Sequence, residues 1–148
     1  MRIKSKFSSA ASLRMGILRN MVDSLLVHER VKTTLAKAKE LRRLGDRVVR
    51  YGKDGSDTAR HVARGVVRTQ EAHDKLFDVI GPRFADRNGG YTRLLRTAPR
   101  KGDNAPMAYV QYVGWEDTVK AGGADADSAD TIYGMPVSMF KKAKRGPQ

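Results

Sequence analysis

A two-layer α+β domain is what this sequence predicts: a small mixed sheet of about three strands packed against helices, with a C-terminal extension beyond it. Three observations carry that expectation. Apolar residues recur at helical spacing in four stretches between residues 12 and 81. They alternate at period two in three shorter ones, "HERVKTTL", "YTRLLRT" and "MAYVQY". The chain has 148 residues, enough for one domain with a real core and too few for two.

The elements follow in order. Ser12 to Val27 reads as a helix with Leu13, Ile17, Met21, Ser24 and Leu25 along one face. A short strand follows, in which Arg30, Lys32 and Thr34 point one way and Val31 and Thr33 the other. Thr34 can cap the next helix, whose stripe is Leu35, Ala38, Leu41, Leu44, Val48 and Val49, and Gly52 is expected to stop it. "KDGSD" is a turn with Ser56 as N-cap. Ala59, Val62, Ala63, Val66 and Val67 then mark a further helix. The last begins near Thr69, buries Leu76, Phe77 and Ile80, and is expected to end at Gly81-Pro82. In the strand from Tyr91, Arg93 and Leu95 share the face of Tyr91, while Thr92, Leu94 and Arg96 share the other.

Charge divides the chain. Residues 1–113 hold 24 Lys/Arg against 11 Asp/Glu, residues 114–140 hold a net −4, and residues 141–148 a net +4. The expected organisation is a basic arm at 1–11, a folded body at 12–113 and a Gly/Ala/Asp-rich extension at 114–148 with a basic end. The whole carries +13, which favours a polyanionic partner. No apolar stretch approaches the roughly 20 residues of a spanning helix, so a membrane is not the expected partner. Cysteine is absent, which removes disulfides, thiolate metal sites and cysteine nucleophiles.

Two constellations carry the excess charge. The helix from Leu35 bears Lys37, Lys39, Arg42, Arg43, Arg47 and Arg50 away from its apolar stripe, either as a solvated face or as a binding one. Around the turn at Gly89-Gly90 gather Arg83, Arg87, Arg93, Arg96, Arg100 and Lys101. Glycine lets a phosphate approach the main chain, and guanidinium forks suit bidentate phosphate contact. Tyr91 offers a ring for stacking on a base, or else caps the core. Trp115, Met135, Met139 and Phe140 in the extension are either incidental apolar residues or anchors on a neighbouring protein.

Chemistry is not expected. Asp103 and Asn104 in "KGDNAPM" read as a turn, and His28, His61 and His73 show no ligand spacing. No nucleophile elbow, P-loop or dinucleotide fingerprint is present, so neither cofactor, metal nor small-molecule substrate is expected.

The strings "RNMVDSLLVHERVKTTLAKAKELRR", "GPRFADRNGGYTRLL" and "GDNAPMAYV" together resemble ribosomal protein seventeen of the bacterial-type large subunit. The resemblance covers about residues 12–113 with the three blocks in the family's order. It implies a two-layer α/β fold and a structural protein that binds large-subunit rRNA near the polypeptide exit side, among neighbouring ribosomal proteins. Carried over by position, RNA contact is expected from Arg14, Arg19, Asn20, Arg30, Lys32, Thr33, Thr34, Lys37, Lys39, Arg42 and Arg43. It is also expected from the segment Arg83 to Arg96, with Arg87, Gly89, Gly90, Tyr91, Thr92 and Arg93, and from Arg100 and Lys101 beyond it. Ala36 and Asn88 stand where the family usually has proline, and "KFSSAAS" dilutes its basic arm. "LRMGILR" is similar to mitochondrial relatives, so the expected location is the mitochondrial matrix, with bacterial cytoplasm or plastid stroma as alternatives. The rival to a ribosomal role is a free-standing, nucleoid-type protein that binds double-stranded nucleic acid.

Overall fold

The computed structural model describes residues 10–115 and the backbone of two short strands further on. The chain divides into two units, Met1–Trp115 and Glu116–Gln148. In the first, α1 (Ala11–His28), β1 (Arg30–Thr34), α2 (Leu35–Asp54), α3 (Asp57–Arg64) and α4 (Gln70–Lys75) follow one another. The last of these runs through a π-helical turn (Leu76–Ile80) into α5 (Gly81–Arg83), and β2 (Thr92–Thr97) and β3 (Met107–Tyr112) close the body. In the second unit, β4 (Thr131–Ile132) and β5 (Met135–Pro136) pair antiparallel. The basic arm before residue 10, the side chains of Met135, Met139 and Phe140, and the terminal lysines lie outside the described residues.

The three-stranded sheet has the order β1-β3-β2 and is antiparallel throughout, where a mixed sheet was expected. Parallel pairing needs a crossover connection. Here β2 and β3 form a hairpin, and β1 enters on the far side of β3 in the opposite sense, with Arg30 facing Gln111 and Thr34 facing Met107. One face of the sheet, with Val31, Thr92, Leu94, Ala108, Val110 and Tyr112, packs on α2. Asp46 on α2 accepts from the Thr92 amide at 2.9 Å and its hydroxyl at 2.8 Å, which sets the height of β2 against the helix.

Local chemistry explains most boundaries. Ser56 caps α3 by accepting from the Ala59 amide at 3.2 Å. Thr34 occupies the N-cap position of α2 but makes no side-chain bond there. Gly52 does not stop α2. The helix runs on to Asp54 and is closed by Gly55 at φ +63°, whose amide reaches the Tyr51 carbonyl. Gly52 serves packing instead: a Cβ on it would stand 2.8 Å from a Leu76 methyl, and one on Gly81 would stand 2.5 Å from the Gly52 carbonyl oxygen. The two glycines let α2 and the π turn touch backbone to backbone. Pro82 likewise fails to end its helix. The ladder is already interrupted where the π turn hands over to α5, so the missing amide falls where little is lost.

The docked face of α1 also differs from expectation. Leu18, Val22, Leu25 and Leu26 are buried, while Leu13 is exposed. Apolar side chains surround much of this helix, so periodicity alone does not select a face and contact with α2 and α4 does.

Candidate nucleic-acid interface

The other face of the sheet is turned away from α2; on it Gln111 is buried and Arg30, Tyr109 and Trp115 are half-buried. Register places three rows on it: Arg30, Gln111 and Arg93; then Lys32, Tyr109 and Leu95; then Thr34, Met107 and Thr97. No acid stands in any row. The Arg30 guanidinium carbon lies 4.0 Å from the centre of the Tyr109 ring and 4.5 Å from that of Trp115. The Lys32 ammonium lies 5.5 Å from the Tyr109 centre. Such cation–π contacts hold long side chains in place. Lys32 and Arg93 are exposed, and Tyr109 and Trp115 are half-buried.

A second basic surface runs along α2. Lys39, Arg42, Arg43, Arg47 and Arg50 are exposed there and Lys37 is half-buried. Steps of three and four residues from Lys39 through Arg43 and Arg47 to Arg50 keep those four on adjoining surface. Two of the three acids on this helix are turned inward: Glu40 is 4% exposed and meets Arg43 at 3.4 Å, and Asp46 bonds Thr92, while Asp54 at the C-terminal end is exposed.

The Gly-rich turn is tied to the same helix. Lys53 donates to the Arg87 carbonyl at 2.7 Å and lies 5.6 Å from the Tyr91 ring centre, and Arg87 Nε donates to the Gly89 carbonyl at 3.1 Å. Gly90, at φ +64°, turns the chain into β2. Arg87, Gly89 and Gly90 remain exposed, as do Arg96 and Lys101. Arg100 is exposed too, but binds Asp103 through two bonds of 3.1 and 2.5 Å. That guanidinium, helped by the Ala105 amide, holds the Asp103 carboxyl down at about 2. The pair closes the hairpin loop, as the "GDN" turn reading expected.

Several expected contact residues face the interior. Tyr91 is 5% exposed, packs on Phe84 at 5.3 Å between ring centres, and so caps the core. Thr92 is buried against Asp46. Thr33 is half-buried on the α2 side of the sheet. Arg83 gives two bonds, of 2.5 and 3.1 Å, to Glu29, which Lys75 also meets at 3.2 Å. Burial pushes the Glu29 carboxyl up, but the bonds and charges of Arg83 and Lys75 outweigh it and hold the group below its ordinary value. Arg14 and Arg19 are half-buried along α1, and Asn20 is exposed and accepts from Arg68 at 3.0 Å.

Sequence reasoning missed Lys53, Tyr109 and the place of Trp115. Alternation along "MAYVQY" already puts Tyr109 on the face opposite Ala108 and Val110. What was lacking was the pairing that sets Arg30 beside it.

Residues 17–113 match the family model described as ribosomal protein L17. A relative from Desulfotalea psychrophila (strain LSv54 / DSM 12343), named large ribosomal subunit protein bL17, is 46% identical over 121 residues, which span 82% of this chain and 94% of the relative.

Proposed function

This chain belongs to the ribosomal protein L17 family, and from that premise we propose that it is a structural constituent of the large ribosomal subunit that holds folded rRNA by its basic surfaces. The observation that carries the mechanism is the inward turn of the acids. Glu29, Glu40 and Asp46 bond within the body, which leaves Lys39, Arg42, Arg47 and Arg50 on α2 and Lys32 and Arg93 on the sheet without carboxylates among the described residues. A fold with its cations set on a packed core can neutralise phosphates of several RNA segments at fixed spacing. Arg87, Arg96 and Lys101 add exposed cations at the Gly-rich turn, on β2 and in the hairpin loop. Arg83, Tyr91 and Thr92 act through the fold and not by touching RNA.

Neighbouring large-subunit proteins and the exit side of the subunit complete the reading, on the strength of family membership. No catalytic step is assigned. The matrix of mitochondria is the finer location that "LRMGILR" supports, while the bacterial relative supports bacterial cytoplasm; fractionation of the source cells separates them. Sucrose-gradient sedimentation of a lysate tests the central claim. The protein is expected with the large subunit at moderate salt. Recovery at the top of the gradient, or with DNA, would sink the ribosomal reading and favour a free-standing nucleoid-type binder.

A further inference from the structure

Two bonds fasten the Gly-rich turn to α2, and together they set where it lies. At one end Lys53 donates to the Arg87 carbonyl at 2.7 Å. At the other, Asp46 accepts from the Thr92 amide at 2.9 Å. Asp46 and Lys53 are two helical turns apart, about 10 Å along one face of α2. The chain from Arg87 to Thr92 therefore runs back along the helix, against its direction. Arg50 follows Asp46 by one turn and precedes Lys53 by one, so it lies on that face between the two bonds. The stretch from Asn88 to Gly90 is thus held level with Arg50. We propose that Lys53 is a positioning residue for RNA binding and does not itself touch phosphate. It holds the turn so that Arg87 and the main chain of Gly89 and Gly90 meet the same RNA strand as Arg50 and Arg47. The inference rests on the rRNA-binding reading of the fold.

Each member of the group has the state that this role needs. Arg47, Arg50 and Arg87 are exposed and enter no ion pair among the described residues. The acids nearest to them in sequence do not bond them: Asp46 is on Thr92, Asp54 accepts from Ser56 at 3.1 Å, and Asp86 is exposed. Arg87 Nε donates to the Gly89 carbonyl at 3.1 Å, which stiffens the turn and leaves the terminal guanidinium nitrogens for a phosphate. A Cβ on Gly89 or Gly90 would meet nothing within 4 Å, so a phosphate can approach the main chain there. Lys53 differs from these cations. It is half-buried, with its ammonium on a carbonyl and 5.6 Å from the Tyr91 ring centre, so its charge is held within the fold. A turn fixed before RNA arrives does not have to be ordered during binding, and affinity rises accordingly.

The full chain is titrated with a labelled 16-base-pair RNA duplex over a range of salt. Lys53→Met is expected to weaken binding about fivefold, the scale of ordering one or two side chains. In an Arg87→Ala background the same change is expected to cost no more than about twofold, because the turn then has no guanidinium to place. Lys53→Arg keeps a donor for the carbonyl and is expected to recover most of the loss. In the free protein, the Gly89 and Gly90 amides are expected to exchange faster in Lys53→Met, while those of β3 exchange as in the parent. That pattern separates a loosened turn from a loosened body, and thermal melts confirm that each variant is folded. Suppose instead that Lys53→Met costs as much in the Arg87→Ala background and flattens the plot of log affinity against log salt there by about 0.9. Lys53 is then itself a phosphate contact, and the positioning role is wrong. If Lys53→Met binds the duplex as the parent does, the bond to Arg87 has no part in binding, while the RNA reading stands. If the parent binds no duplex, the rRNA-binding reading fails and the role of Lys53 with it.

Discussion

Arg83 and Arg93 belong to one stretch of sequence, carry the same side chain, and do opposite things. Arg83 lies in the packed seam between the end of α1 and the end of α5, three-quarters covered, with both of its bonds on Glu29. Arg93 lies exposed on the sheet face turned away from α2, and no ion pair among the described residues involves it. The cause of the difference is Glu29. It occupies the left-handed region at φ +58°, where α1 breaks into β1, and that turn aims its carboxylate into the body. The structure thus sorts its cations by where it has placed an acid. In the seam they hold the fold together, and on the sheet Lys32 and Arg93 enter no ion pair among the described residues.

The largest effects come from breaking the seam. Gly81→Ala forces a methyl to within 2.5 Å of the Gly52 carbonyl, and backbone on both sides cannot swing aside as a side chain could. A loss of about 3 kcal/mol is expected, seen as a fall of roughly 10 °C in Tm. A variant that melts like the parent would mean that α2 and the π turn do not touch. Arg83→Ala is expected to cost less, about 2 kcal/mol, because Lys75 still meets the stranded Glu29 and the site is partly open to water. Urea melts at neutral pH measure it.

The same pair sets a pH dependence. Glu29 is held below its ordinary value of 4.5, so its contribution is fully present above that pH and is lost as pH falls through the depressed folded-state value. Asp23 runs the other way: burial raises it above 3.8 against the opposing bond and charge of Arg68, so acid relieves it. The difference between the parent and Glu29→Gln isolates the first group. It is expected to narrow steadily below about pH 4.5 and to stay constant above it. A difference that ignores acid would show that Glu29 is not ionised in the seam.

Why the two arginines could not be told apart in sequence is a matter of distance along the chain. Helix stripes, the Ser56 cap and the alternation of β2 and β3 are local, and the residues that fix them sit within a turn or a strand of one another. Glu29 and Arg83 meet from 54 residues apart in the chain, and Asp46 meets Thr92 from 46 apart. Nothing in "GPRFAD" signals that its arginine is paired. Gly52 misled for the same reason: glycine late in a helical pattern ordinarily reads as a stop, and only the approach of Gly81 gives it another purpose. Sequence did place Arg30, Lys32 and Thr34 on one face of β1 and Arg93 on the face of Leu95. Joining the two rows required the order β1-β3-β2.

The smallest expected effect is the sharpest test of the comparison. Arg93→Ala touches no bond of the body, so its stability should stay within about 0.5 kcal/mol of the parent. Its effect should appear in binding to single-stranded RNA, where removing one phosphate-binding cation flattens the plot of log affinity against log salt by about 0.7. Arg83→Ala, measured well below its melting temperature, should leave that slope alone. The slope is a better witness than affinity, because a partly loosened fold lowers affinity at every salt concentration, whereas a cation missing from a phosphate changes how many counterions are released. Flattening by both variants would mean that Arg83 leaves Glu29 when RNA binds, and the seam would then be a second RNA-binding surface held closed by one carboxylate.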